Sequence, residues 1–479
     1  MRIKNRIVSR YYTTPSTYNA LVYQKDGRYY AKDEEENIIC TDSPTACIQE
    51  AVDHVSSKGG GIVFLKGGTY KLSRGIILRD KVSLIGSGIH STRLVPLPNF
   101  SNSYMISLEG NKEYLACWRR ISDIYIYNNY NVNYGIYADN KVGASCMVIE
   151  RVLIRDAVVA GIYQGQGNAV WTVRDCGIFG GTKGYGMYMH YTGDSHYENN
   201  EIFGYSKGVF AIALGNSVFI DNRIYMAKRY DDVQDSGLGM HLHSSSGVRI
   251  IGDRYDQNDI KGLYIRDSHD ISVVGVLTWK NGVYCTRNPC YGVGIQIYGG
   301  SNITVKDCVS LNDYGHGVET IGGYGIVVEG CVVRDPCYST DLQSECRAFD
   351  FYRSNRIVVR NNHAVDTRSP PVMKYGFKFD GNTDLLFDGI TAYGYISSEI
   401  NIINNNKLRR NYGTATISAN TTSTTVTHNL ICTPSKVYVT PLGQLPGPIW
   451  VSNVNNTSFT INISQAPTSD LQIAWYAEC

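Results

Sequence analysis

From about residue 120 to 395 the chain returns every 22 to 32 residues to one short pattern: a glycine, a large apolar residue, then a variable one. The markers are Gly135-Ile136, Gly161-Ile162, Gly186-Met187, Gly208-Val209, Gly239-Met240, Gly262-Leu263, Gly294-Ile295, Gly317-Val318, Ala348-Phe349 and Gly376-Phe377. Between them run short β-branched segments such as Ile303-Thr304-Val305, Ile326-Val327-Val328 and Ile357-Val358-Val359, punctuated by Asn, Asp and Gly. Helical periodicity is missing, and so is the Leu/Asn signature of leucine-rich repeats. A repeat of this length built from short strands and turns is a solenoid, and here an all-β parallel β-helix.

Stacked coils put equivalent residues about 4.8 Å apart, so the repeat can be read as columns. The residue after each marker glycine is apolar and points inward; the next one points outward on the same sheet. That outward column reads Tyr137, Tyr163, Tyr188, Phe210, His241, Tyr264, Gln296, Glu319, Asp350, Lys378. The position just before each marker reads Tyr134, Ala160, Tyr185, Lys207, Leu238, Lys261, Val293, His316, Arg347, Tyr375. An aromatic stretch thus gives way to one dense in acids, bases and cations. The longest spacings add loops around Lys228–Ser236, Tyr284–Cys290 and Pro336–Cys346, which are expected to wall a cleft over the polar columns.

A length of 479 residues suits one elongated body with smaller pieces attached. With 45 Lys+Arg against 43 Asp+Glu, the chain lacks the basic excess of a dedicated nucleic-acid binder. It also lacks an apolar run of membrane-spanning length. The opening MRIKNRIVSRYYTTP is charged without an apolar stretch, so a standard secretory signal is not expected there. Tyr outnumbers Phe by 37 to 12, which suits an extended, half-wet surface. Thirteen cysteines point to an oxidising or very hot setting. Cys40/Cys47, Cys285/Cys290, Cys337/Cys346 and Cys432/Cys479 are the pairs placed to close loops, and Cys308 and Cys331 align as inward thiols. No spacing of zinc-site type occurs.

Residues 46 to 97 run Cys47-Ile48-Gln49-Glu50-Ala51-Val52 as an amphipathic segment, then GGGIVFLKGGTYKL, ILRDKVSLIGSG. This order resembles the opening of the pectate-lyase-like superfamily, in which a short helix caps the first coil of a right-handed parallel β-helix. The resemblance spans roughly residues 45 to 400. It implies a fold and not one reaction, because that group includes lyases, hydrolases, epimerases and virus tailspikes. Residues 401 to 413 read as a polar linker. From 414 to 479, alternating segments such as PSKVYVTPLG and TSFTINIS predict a small antiparallel β-sandwich, similar to C-terminal modules of viral tail fibres and tailspikes that serve in trimer formation or glycan binding. Residues 1 to 45 hold a predicted hairpin turning at Asp26-Gly27, expected to attach or cap.

Gly315-His316-Gly317 matches the Gly-His-Gly on the cleft sheet of the polygalacturonase-type hydrolases. The rest of that pattern departs. Asp259-Ile260-Lys261-Gly262 stands where that family has Asn-Thr-Asp-Gly, Gly292-Val293 where it has paired aspartates, and Asp350-Phe351-Tyr352 where it has Arg-Ile-Lys. Polygalacturonase activity is therefore not expected.

In place of those acids stand His316, Glu319, Arg347, Asp350 and Lys378, with Lys261 and Tyr264 nearby. Glu319 and Asp350 share a column on adjacent coils, a spacing that suits a retaining glycosidase. The cations Lys261, Arg347 and Lys378 suit a uronate carboxylate, with His316 or Tyr264 abstracting the C5 proton in a β-elimination. The number of cations favours β-elimination on an acidic glycan. Lys261, His241, His243, Tyr188, Tyr163 and Gln296 are expected to bind substrate. His241-Leu242-His243 could hold a metal with Asp235 or Asp232, but glycan contact or plain surface fits such a lone pair better. Asn200, Asn222 and Asn362 read as turn-stabilising. The expectation is an extracellular or virion-associated depolymerase, homotrimeric like the tailspikes it resembles, with no cofactor; calcium is not indicated. A non-catalytic glycan-binding spike and a C5-epimerase are the other readings.

Overall fold

The structure is a computed structural model that describes residues 17–108, 118–139, 145–230, 233, 235–282, 292–338, 346–403 and 406–479. The pair Cys285/Cys290, Asp232, and the middles of the three long loops lie outside the described residues.

Three parallel sheets stack along one axis, each contributing one short strand per coil, in a right-handed parallel β-helix. Two hold thirteen strands; the first holds sixteen, because Ala20–Lys25 pairs parallel with Gly61–Leu65 and Arg28–Asp33 and Ile38–Asp42 extend the sheet antiparallel beyond it. The hairpin turns at Asp26 and Gly27, both at positive φ. The helix Pro44–Ser57 starts with Pro at its first turn and Ser43 as its cap, the Ser43 hydroxyl accepting from the Ala46 amide. It buries Cys47, Ile48, Ala51, Val52 and Val55, and Gln49 exchanges two hydrogen bonds with the backbone of Ile77. The helix thus covers the open end of the coil stack.

The marker glycines are explained by how closely successive coils approach on the third sheet. A Cβ at Gly239 would lie 2.5 Å from the Gly262 carbonyl oxygen, and one at Gly262 would lie 2.7 Å from that of Gly294. Only a residue without Cβ fits there. Between the first and second sheets the chain turns through a residue at positive φ, filled by Asp175, Asn199, Asp221, Gly252, Gly275, Asp307, Gly330 and Asn361 on successive coils. The residue after it points inward. There the Asn200 side-chain oxygen accepts from the Cys176 amide, that of Asn222 from Asn200, and the Asp253 carboxylate from Asn222, a polar ladder that satisfies buried backbone.

Residues 401–413 carry the end of the strand Ser398–Ile403 and the start of Arg410–Ile417. Arg410–Ile417, Leu471–Glu478 and Lys436–Pro441 form one antiparallel sheet, and Ser423–Thr427, Ser458–Ile463 and Ile449–Ser452 another. Ile417, Val426, Phe459, Ile461 and Ile473 are buried in this C-terminal part. Disulfides join Cys40–Cys47, Cys337–Cys346 and Cys432–Cys479, while Cys308 and Cys331 are buried thiols. Among the described residues no helix is long and apolar enough to cross a membrane.

Candidate functional site

The third sheet carries both columns in the register read from the repeat. Tyr137 pairs with Tyr163, Tyr163 with Tyr188, and so on through Phe210, His241, Tyr264, Gln296, Glu319, Asp350 and Lys378. Outward does not mean exposed, however. His316 is 2% exposed, Asp350 4% and Glu319 7%. At a spacing of about 4.8 Å each side chain is flanked closely by those on the coils above and below, which help to remove it from solvent.

His316, Glu319 and Asp350 converge, with one ligating atom from each within 4.8 Å of the others. The Arg347 guanidinium donates to Asp350 Oδ2 at 2.5 Å, a charge-assisted bond. His316 Nδ1 lies 3.1 Å from the Arg347 carbonyl oxygen and Nε2 3.9 Å from Asp350 Oδ2. An imidazolium there would point one N–H at each. Gln296 Nε2 donates to the Glu319 carboxylate. The donor set fits a small cation in composition, but Arg347 already supplies the positive charge at Asp350. Lys378 faces Asp380 at 3.4 Å. Arg347 and Lys378, read from sequence as partners for a substrate carboxylate, are thus engaged by the protein's own acids.

Lys261 stacks its ammonium 4.0 Å from the centre of the Tyr264 ring. Burial lowers the Lys261 pKa, and the nearby Glu319 opposes that shift. Burial pushes the Tyr264 phenol up to about 12, which suits a proton donor better than a base.

The aromatic rings pack against one another along the column, mostly stacked, with Tyr163 and Tyr188 meeting edge to face at 71°. Tyr137 and Tyr163 lie 5.2 Å apart at 16°, Tyr188 and Phe210 5.3 Å apart at 17°, and His241 and Tyr264 4.7 Å apart at 29°. Neighbours in the column occupy these ring faces, so Tyr163 and Tyr188 offer mainly edges and hydroxyls to a sugar. His243 stacks on His241 at 5.7 Å and turns its Nε2 toward Asp267, 3.9 Å away. Lys207 stood in the sequence columns without a role; its burial, invisible in the repeat, is what sets it apart.

Residues 40–262 match the family model described as rhamnogalacturonase A/epimerase, pectate lyase-like, and residues 232–348 match a right-handed β-helix region. No curated protein matches the sequence. Among solved structures the chain is similar to the Dettilon tailspike protein, at 12% identity over 91% of each chain and a TM-score of 0.53. It is similar to a tailspike mutant of E. coli bacteriophage HK620 in complex with a hexasaccharide, at 13% identity over 93% of this chain and 91% of that one, with a TM-score of 0.52. PfbA, a surface adhesin of Streptococcus pneumoniae, matches at 13% identity over 75% of this chain and 90% of its own, with a TM-score of 0.50. At these identities the likeness is one of fold. The pectate-lyase-like and tailspike resemblance read from the sequence holds at that level.

Proposed function

We propose that the protein is a glycan-cleaving enzyme whose third sheet holds a polysaccharide, and that it cuts by acid-pair hydrolysis at Glu319 and Asp350. The observation that carries this reading is the pair of buried carboxyl groups on adjacent coils, with ligating atoms within 4.8 Å and one of them held by Arg347. Retaining glycosidases keep their two carboxyl groups roughly 5–5.5 Å apart. Asp350, bonded to Arg347, takes the role of nucleophile. Glu319, whose hydrogen-bond donor is the neutral Gln296 amide, carries the proton to the leaving oxygen and then activates water. His316 orients Arg347 and Asp350. The occupied state of Arg347 and Lys378 and the raised Tyr264 pKa weigh against β-elimination; Lys261, which makes no ion pair within 4.0 Å among the described residues, is the feature that favours it.

The fold shared with two phage tailspikes and a surface adhesin supports action outside the cell or on a virion. It also supports assembly as a homotrimer. The test is incubation with acidic and neutral polysaccharides, following reducing ends and ultraviolet absorbance together. Reducing ends without absorbance, and products that first keep the anomeric configuration, are expected. Absorbance rising with the reducing ends would replace hydrolysis by β-elimination. Binding without either signal would leave a spike that holds glycan uncut.

A further inference from the structure

Upstream of the acid pair the same sheet buries cations that touch no acid. Lys207 is 5% exposed, its ammonium 4.1 Å from the centre of the Phe210 ring and 5.7 Å from that of Tyr185. Two coils on, in the same column, Lys261 lies over Tyr264. Between them stands His241, 2% exposed, its ring 5.0 Å from Phe210 and 4.7 Å from Tyr264. Neither His241 ring nitrogen has a hydrogen-bond partner, and neither lysine has an ion pair within 4.0 Å, among the described residues.

The described carboxylates that face this group are committed elsewhere. Asp235 acts on both lysines from a distance but lies 3.8 Å from Arg266, and Glu319 accepts from Gln296. A buried ammonium is costly unless paired, and ring faces offset only part of that cost. A buried imidazole with no partner adds to it. One species would satisfy all three: an anion with several acceptor oxygens, set between two ammonium groups and an imidazole N–H.

We propose that Lys207, His241 and Lys261 form a subsite for an oxyanion carried on the glycan, a carboxylate or a sulfate ester. Burial first, then the charges of Lys207, His243, Lys261 and Arg266, pull the His241 pKa down to about 2, which keeps the ring neutral with one N–H to donate. The register places His241 three coils from Glu319, about 14 Å along the stack. The oxyanion held there therefore belongs to a sugar further along the chain than the one being cut. It selects an acidic polymer and takes no part in bond breaking. This inference rests on the glycan reading of the sheet and deepens it by naming the substrate class.

The test is calorimetric titration of the full chain carrying Asp350→Asn, which leaves the surroundings of Lys207 intact. Three probes serve: a uronate polymer, the same polymer with its carboxyl groups reduced, and a sulfated neutral polymer. At least one charged polymer is expected to bind roughly 30-fold tighter than the reduced one, and the stronger of the two identifies the oxyanion. Adding Lys207→Met should remove that advantage, and Lys207→Arg should keep it. The melting curve of the Lys207→Met variant should stay at or above the parent's, because that substitution deletes a buried charge, and the Lys207→Arg variant should remain folded. Equal binding of charged and reduced polymers, binding of neither charged polymer, or an unchanged advantage in a folded Lys207→Met protein overturns the subsite. Charged polymer bound by this variant but left uncut by the wild-type protein would keep the subsite and remove the cleavage reading. Reduced polymer bound and cut as readily as its parent would do the reverse.

Discussion

Glu319 and Asp350 are outward residues that the stack has buried, and that sets what their replacement does. Glu319→Gln and Asp350→Asn are each expected to lower turnover by roughly 10²–10⁴-fold, read as initial rates of reducing-end release. The melting temperature of Glu319→Gln should change little, whereas Asp350→Asn leaves the buried Arg347 guanidinium without its carboxylate and should melt lower while remaining folded. Asp253 offers a second test. It sits fully buried at the end of the asparagine ladder, and burial raises its pKa to about 7. A carboxyl raised above its unfolded value of 3.8 contributes stability that is full below about pH 4 and lost as pH rises through about 7. Folding stability should therefore fall with pH in that window by at most about 1.4 kcal/mol per unit from this group. Asp253→Asn should flatten that slope, measured by denaturant titration at a series of pH values. Asp313, raised to about 6 by burial, supplies a remaining part. An identical slope in the variant would show that Asp253 does not titrate there. The asparagines were legible because the repeat aligns them at one turn. Which rung is an acid under strain was not, since burial is a property of the finished stack.

At the level of elements, the disulfide Cys337–Cys346 lies beside the acid cluster. The Cys337 amide donates to the Gly315 carbonyl, next to His316, and Cys346 directly precedes Arg347. Replacing both cysteines by serine is expected to cost about 2–3 kcal/mol of stability. It should also lower the cleavage rate about tenfold, a 1.4 kcal/mol change, by loosening Arg347 against Asp350. A loss of stability with the rate intact would make the disulfide purely structural. The marker glycines make another prediction. Gly239→Ala would push a methyl group into the Gly262 carbonyl and the Asn258 side chain, and should destabilise by about 1–3 kcal/mol. The spacing of these glycines announced the coils; their reason, close backbone approach, is seen only once the coils are stacked.

As a whole molecule the chain is a column of coils closed at one end by a helix and followed by two small antiparallel sheets. If the tailspike likeness extends to assembly, light scattering should give three times the chain mass of 53.3 kDa; a mass of 53.3 kDa would remove the homotrimer. The sequence by itself determined the solenoid, the register of its columns and the gathering of His316, Glu319, Arg347 and Asp350, and it offered Cys40–Cys47, Cys337–Cys346 and Cys432–Cys479 among four candidate pairs, these three being disulfides in the structure. It could do so because a parallel stack turns sequence spacing directly into neighbourhood: residues one repeat apart must touch. Tertiary structure alone decided which cations are engaged and which are not. Arg347 reaches Asp350, Lys378 reaches Asp380, and Lys207 and Lys261 lie over rings instead. Those outcomes depend on side-chain direction, on ring stacking and on water excluded between coils. None of these follows from the period, because the period fixes where a side chain starts and leaves open where it ends.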